Sequence, residues 1–297
     1  MTEDKRDPLD AKWQRRIEEA EKRFRHWWDQ ADKIYQRYES ERGEERRVKG
    51  KRFSLLWSNT RVMQGAIYSQ RPKPYVTRRQ KNDPVSRVAA QVLERALEPC
   101  VELSCYDEAI VNARDDRLLS GRGVAWVCYE ADYTEEEVIG ERCYVDFVLY
   151  KDFLHGEAPN WDAVPWVAKR GFMSKQDLVK RFGNMGAQVE IYREDEAGRG
   201  RNKGKDRNYE GFAPVWEIWD KRENRVIWYA PDGREKKVLE AKEPPYKLLS
   251  FYPCPRPVYA TLAPGSLVPV PDYVQYQDQA DEVDSLTDRI NESTSSA

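Results

Sequence analysis

The chain has 297 residues and a formal net charge of −2, with 40% hydrophobic and 34% charged residues. That mixture excludes a disordered polymer and a simple polyanion binder, and it suits one large domain or two ordinary ones. No run approaches the length of a membrane span, and the N-terminal MTEDKRDPLD lacks the apolar stretch of a signal peptide. Five cysteines without such a signal point to reduced thiols in a cytosolic compartment. Ten Trp and seventeen Tyr form an unusual aromatic load, suited both to cores and to subunit interfaces.

Trp13, Ile17, Ala20, Phe24, Trp27, Ala31, Ile34 and Tyr38 recur at three and four. The spacing predicts one long helix over 10–40 with a solvated face rich in Arg, Lys and Glu. A charged connector follows to Arg52. FSLLWSNTRVMQGAIYS, 53–69, predicts a second helix, ended by Arg71-Pro72-Lys73-Pro74. A short extended piece, YVTRR, comes next. Val85, Val88, Ala89, Val92, Leu93, Ala96 and Leu97 resume the helical period, with Pro99 expected to break or kink it. Residues 106–120 continue as helix up to Ser120-Gly121.

The period then changes. VAWVCYEADY and ERCYVDFVLY predict two paired strands joined by TEEEVIG. HGEAPNWDAVP reads as a loop and WVAKRGFM as a strand. Ser174 and Asp177 form a capping-box start for a short helix closed by Gly183. Residues 193–211 are a charged, Gly-rich loop. VWEIWDKRENRVIWYA predicts a hairpin, and KLLSFYP one more strand. A proline-rich arm then leads to a terminal helix. Asp272 is its expected cap, with Gln275 as capping-box partner, and Tyr273, Tyr276, Ala280, Val283, Leu286 and Ile290 share one face.

The expected fold class is α+β. N-terminal helices (1–120) pack on a mostly antiparallel β-rich part (121–255). A proline-rich arm (256–271), a terminal helix (272–291) and an unstructured tail (292–297) follow.

Catalytic signatures are sparse. Two histidines are present. His26 reads as packed or solvated. His155 lies in a loop near Asp152 and Asp162, where a general base or a packed ring are alternatives. Cys100 and Cys105 read as buried thiols, and no C-x-x-C pair exists for a metal. SGRGVAW lacks the spacing of a phosphate loop and reads as a helix stop feeding a strand. The acidic EADYTEEEV reads as a solvated hairpin loop. No enzyme activity, cofactor or metal is therefore expected.

Charge patterning says more. Between Glu45 and Asp83 there is no acidic residue, while Arg61, Arg71, Lys73, Arg78 and Arg79 belong to a cationic series that begins at Arg46 and ends at Lys81. Such a block suits phosphates or a neighbour's acids. No sequence-reading DNA motif accompanies it. A second basic run, GRGRNKGKDRN, lies at 198–208. The last helix is acidic, with Asp272, Asp278, Asp281, Glu282, Asp284 and Asp288. Opposite charges on separate surfaces suit contacts between identical subunits, and solvated faces are the alternative.

Several stretches together resemble the portal proteins of tailed bacteriophages, of the long type found in short-tailed phages and related prophages. They are LLWSNTRVMQGAIYSQRPKPYVTRR (55–79), DRLLSGRGVAWVCYE (116–130), VLYKDFLHGEAPNWDAVPWVAKRGFMSKQDLVKRFG (148–183), VWEIWDK (215–221) and, across 251–290, FYPCPRPVYAT with SLVPVPDYVQYQDQADEVDSLTDRI. The resemblance implies a structural head-to-tail connector in the virion, assembled in the bacterial host cytoplasm. It implies a closed homo-oligomeric ring of about twelve subunits at one capsid vertex. Double-stranded DNA would pass through it during packaging and ejection. Terminase, scaffold and coat proteins would be its partners, and no membrane is involved.

By the same resemblance the chain corresponds to the peripheral wing, and it reads as C-terminally truncated before the stem, clip and crown. Arg61, Arg71, Lys73, Arg78 and Arg79 are the candidate DNA or subunit contacts. Tyr273, Tyr276, Val283, Leu286 and Ile290 are the candidate oligomer or packing face. The rival expectation is a nucleic-acid-binding accessory protein acting through 46–81. If the terminal face is covered, Leu286→Asp lowers self-association or thermal stability, because it places a charge on an apolar surface. Light scattering and thermal melts check it.

Overall fold

The apolar row of the first helix is buried from end to end: Trp13, Ile17, Ala20, Phe24, Trp27, Ala31, Ile34 and Tyr38 are all at most 9% exposed. That helix, α1, spans Pro8–Arg42. The structure, a computed structural model, describes residues 8–42, 54–78, 83–133, 138–191, 211–231, 237–245, 247–248 and 250–295. Within them the fold is α+β, and every strand pairing is antiparallel. The chain divides into two compact units, but not at the boundary between helical and β-rich sequence. The first comprises Met1–His26, Lys151–Tyr252 and Pro264–Leu267; the second comprises Trp27–Tyr150, Pro253–Ala263 and Val268–Ala297.

The first unit is built on a five-stranded sheet. β3 (Phe153–His155), β4 (Trp166–Ser174), β5 (Phe212–Asp220), β6 (Arg225–Ala230) and β7 (Lys237–Lys242) lie in that order. The β5–β6 hairpin turns at 221–224, where Asn224 takes the left-handed conformation such a turn favours. Val215, Trp216, Ile218, Trp219, Val226 and Ile227 are buried, so both faces of the central strands are covered. The first half of α1 packs here: Trp13 meets Trp166 edge-on at 5.7 Å, and Phe24 meets His155 at 5.0 Å. Helix α5 (Lys175–Gln188) starts as expected, with Ser174 Oγ accepting the Asp177 N–H at 3.3 Å. Gly183, at φ 56° and ψ −129°, interrupts it as expected, and a second helical stretch follows to Gln188.

The second unit holds α2 (Leu55–Ile67), α3 (Pro84–Leu103) and α4 (Tyr106–Ser120). It also holds the hairpin of β1 (Arg122–Tyr133) and β2 (Val138–Val148). The SGRG sequence does what its pattern predicts. Gly121 ends α4 at φ 92°, a left-handed cap. At Gly123 a Cβ would sit 2.0 Å from the Ala113 carbonyl oxygen, so only glycine lets the strand start so near the helix. The proline-rich arm is tied down by short strands. β8 (Val258–Tyr259) joins the edge of β1, and β9 (Thr261–Leu262) pairs with β10 (Pro269–Val270). The last helix, α6, spans Gln277–Ser295.

Five expectations are corrected. Residues of KLLSFYP form no strand among the described positions; the strand instead is β7, KVLEAK, whose polar composition hid it. Helix α3 continues through Pro99 to Leu103, because Pro99 lies on the exposed side where water can take the freed carbonyl. Cys100 and Cys105 are exposed, and the buried thiol is Cys254. HGEAPNWDAVP is not all loop: His155, its first residue, ends the short strand β3, and it contains a 3₁₀ turn at Trp161–Ala163. The expected unstructured tail 292–297 is also corrected, since the last helix continues to Ser295; residues 296–297 and the loop 193–210 lie outside the described residues.

A polar network sits in the core of the second unit. Asp116, 1% exposed, accepts hydrogen bonds from Tyr35 Oη at 2.7 Å and from the Tyr150 N–H at 2.9 Å. Tyr150 Oη donates to Asp32 at 2.6 Å. The Arg122 guanidinium is fully buried, donates to the Tyr150 carbonyl at 2.8 Å and lies 4.5 Å over the Trp27 ring. Burial pushes the Asp116 carboxyl up to about 7, against hydrogen bonds from Tyr35 and Ser120, the Arg122 charge and the Tyr150 N–H. The unfolded carboxyl titrates near ~3.9. The neutral form is therefore favoured by folding. Its stabilisation is complete below the unfolded value and is lost as pH rises through about 7. Thermal melts should show wild type losing stability relative to Asp116→Asn over that interval, by up to roughly 1.4 kcal/mol per unit of displaced pKa. Parallel curves would mean that Asp116 stays charged throughout.

Candidate functional site

The terminal helix does not start at Asp272. Asp272–Gln275 form a 3₁₀ turn behind Pro271, and α6 begins at Gln277. The Asp272 carboxylate is drawn instead to Arg117 Nη1 at 2.6 Å, an ion pair that outcompetes the capping-box geometry. The expected face is covered within the chain over its first half only. Tyr273 and Ala280, 3% and 2% exposed, pack with Ile34, Tyr38, Leu56 and Leu119, and Tyr276 is half-buried against the same cluster. Arg37 lies 5.3 Å over the Tyr273 ring and bridges Asp284 at 2.8 Å. Val283 is half-buried. Leu286 and Ile290 are 49% and 63% exposed, so the apolar face runs on past its cover.

The basic stretch is spread over two kinds of structure. Arg61 is on α2, with Nη1 donating to Gln64 Oε1 at 3.1 Å and the guanidinium 5.6 Å over the Trp57 ring. Residues 71–78 are extended and largely exposed. Arg71 reaches Glu102 at 3.4 Å, an exposed pair of small worth. Lys73 is exposed and forms no ion pair among the described residues, and Arg78 is exposed. Arg79 and the cations of 46–52 lie outside the described residues.

The sequence row on α3 marks a helix but not a core. No residue of α3 is buried. Val85, Val88, Val92, Leu93 and Leu103 are 50–80% exposed, and they share one uncovered stripe with Ala89 and Ala96. The inner side carries Ala90, Glu94 and Val101, half-buried. Glu94 Oε2 accepts the Val76 N–H at 3.2 Å, which ties the basic arm to the back of the helix. Beside α2, a groove of about 440 Å³ is lined by Thr60, Val62, Met63, Leu118 and Tyr276. Among the described residues nineteen large hydrophobic side chains are exposed, and sixteen belong to the second unit.

His155 is 1% exposed, with Nδ1 2.8 Å from the Gly156 carbonyl, and Asp152 is held by Arg170 at 2.7 Å. The ring therefore has no open approach for a substrate. Trp161 and Trp166 pack locally, against Tyr252 and Trp13. Among the described residues no three His, Cys, Asp or Glu side chains converge as metal ligands, and no helix is long and apolar enough to cross a membrane. Neither a comparison with protein-family models nor one with curated proteins finds a match.

The covered and uncovered halves of the terminal face separate in their energetics. Tyr273→Ala is expected to cost about 3 kcal/mol or more in denaturant unfolding, as for a buried aromatic. Leu286→Asp is expected to change monomer stability by less than about 0.5 kcal/mol, which narrows the Leu286 expectation to self-association.

Proposed function

We propose that the chain is a structural assembly subunit, the peripheral wing of a phage portal. It takes part in a homo-oligomeric ring for double-stranded DNA packaging and ejection. The observation that carries this reading is the fully uncovered apolar stripe of α3. A helix with a Val/Leu row needs a partner to exclude water from it, at about 25 cal/mol per Å² of apolar surface. The aromatic load, the exposed ends of α2 and α6 and the order of the portal-like stretches support it. In this reading the ring of about twelve subunits is closed by heterologous contacts. DNA, terminase, scaffold and coat proteins are partners of the assembled ring in the virion.

A second reading is favoured by one observation, the extended exposed arm 71–78, whose Lys73 forms no ion pair among the described residues. It makes the chain a nucleic-acid-binding accessory protein. Its signature is tight duplex binding by a monomer, falling steeply with salt.

Light scattering with negative-stain imaging tests the assembly reading. A ring, weakened by Val92→Asp without a change in melting temperature, is the expected result. A monomer at every concentration, together with salt-sensitive duplex binding lost in Lys73→Glu, would favour the accessory protein.

A further inference from the structure

The first unit contains a pocket that no part of the assembly reading uses. It has a volume of about 620 Å³, within the ~300–1,000 Å³ range of small-ligand sites. Its wall from α1 carries Arg16, Glu19, Lys22 and Arg23 around the buried Ala20. Gly156 and Glu157, Pro165 and Trp166, and Arg222 from the β5–β6 turn complete it. Four cations thus face two carboxylates, both of them exposed.

The cations are not equally engaged. Arg16 is neutralised by Asp220 at 3.1 Å. The other Asp220 oxygen accepts the Arg222 N–H at 3.0 Å and so anchors the turn that carries Arg222. Arg23 donates to the His155 carbonyl and lies 4.8 Å from the Phe24 ring centre. Neither contact neutralises it. Burial pulls its pKa down, with Glu157 opposing, so an incoming anion would relieve a desolvated charge. Lys22 and the Arg222 guanidinium form no ion pair among the described residues. The floor adds a neutral donor. Trp166 is 5% exposed, and its indole Nε1–H forms no hydrogen bond among the described residues. A Cβ on Gly156 would stand 2.5 Å from Pro165 Cγ and 2.8 Å from Trp166 Nε1, so only glycine lets the backbone pass this close to the two rings.

We infer that this pocket binds a phosphate dianion, either free or on a small ester. Lys22, Arg23 and Arg222 would supply the charge and Trp166 Nε1 the orienting hydrogen bond. Charge-assisted donors around a partly buried centre suit an oxyanion better than a neutral ligand. The inference does not rest on the portal reading, since every lining residue belongs to the first unit.

Isothermal titration calorimetry of the full chain at low ionic strength, with inorganic phosphate and with AMP as probes, tests it. The expected result is one saturable site. Arg222→Ala and Lys22→Ala, both on exposed side chains, should each weaken it at least about fivefold. Trp166→Phe keeps the ring, removes the N–H, and should weaken it similarly. Tighter binding of AMP would assign the site to an ester, and equal binding to the free ion. No saturable heat from either probe up to about 10 mM overturns the assignment. So does an affinity unchanged by Arg222→Ala and Trp166→Phe in proteins whose circular dichroism matches wild type.

Discussion

Each unit's core depends on one half of a single helix face. Residues to 26 belong to the first unit and residues from 27 to the second. In the first, Trp13 and Phe24 supply the aromatic edges that Trp166 and His155 pack against. In the second, Trp27 takes the Arg122 guanidinium over its ring and donates Nε1 to the Ser120 carbonyl at 2.6 Å. Ile34 and Tyr38 then receive Leu56, Leu119 and Tyr273. A polar substitution on this face would bury an unsatisfied group in one core or the other.

That dependence explains what was legible in the sequence. A row of eight large or small apolar residues at helical spacing is a strong local signal, and α1 matches it almost to the residue. The hairpin pairs β1–β2 and β5–β6 were legible for the same reason: alternation, β-branching and polar turns are local. So was the SGRG junction, where a cap and a close approach both demand glycine. KVLEAK was not legible, because its strand character comes from pairing with β6 and not from its own residues. The Asp272 cap failed through a long-range competitor, Arg117, 155 positions away.

Helix α3 shows a different limit. Periodicity reports that a helix has an apolar side, but not what lies against it. The rows on α1 and α3 look alike in sequence, yet one is buried throughout and the other is bare. Cys100 was misread in the same way: a thiol among valines and leucines resembles a core residue until the helix that carries it proves to have no buried residue. The phosphate pocket had no sequence signal at all. Lys22 and Arg222 are far apart in the chain, and only the turn anchored by Asp220 brings Arg222 to the pocket that Lys22 lines.

The two units also differ in what they leave open. Among the described residues the first exposes three large hydrophobic side chains and a cationic pocket; the second buries the Asp116 and Arg122 side chains and exposes apolar helices. An ionic ligand site works best where water can be partly excluded by a rigid frame, which a five-stranded sheet with a covered face provides. An association face works best on elements that are stable before the partner arrives. α3 meets that need with Asp83 accepting the Val85 and Ser86 N–H groups at its start, Pro84 in its first turn and charged residues on its remaining sides. Its stripe therefore adds little to the stability of the isolated chain, and the free energy it can release is available to whatever covers it.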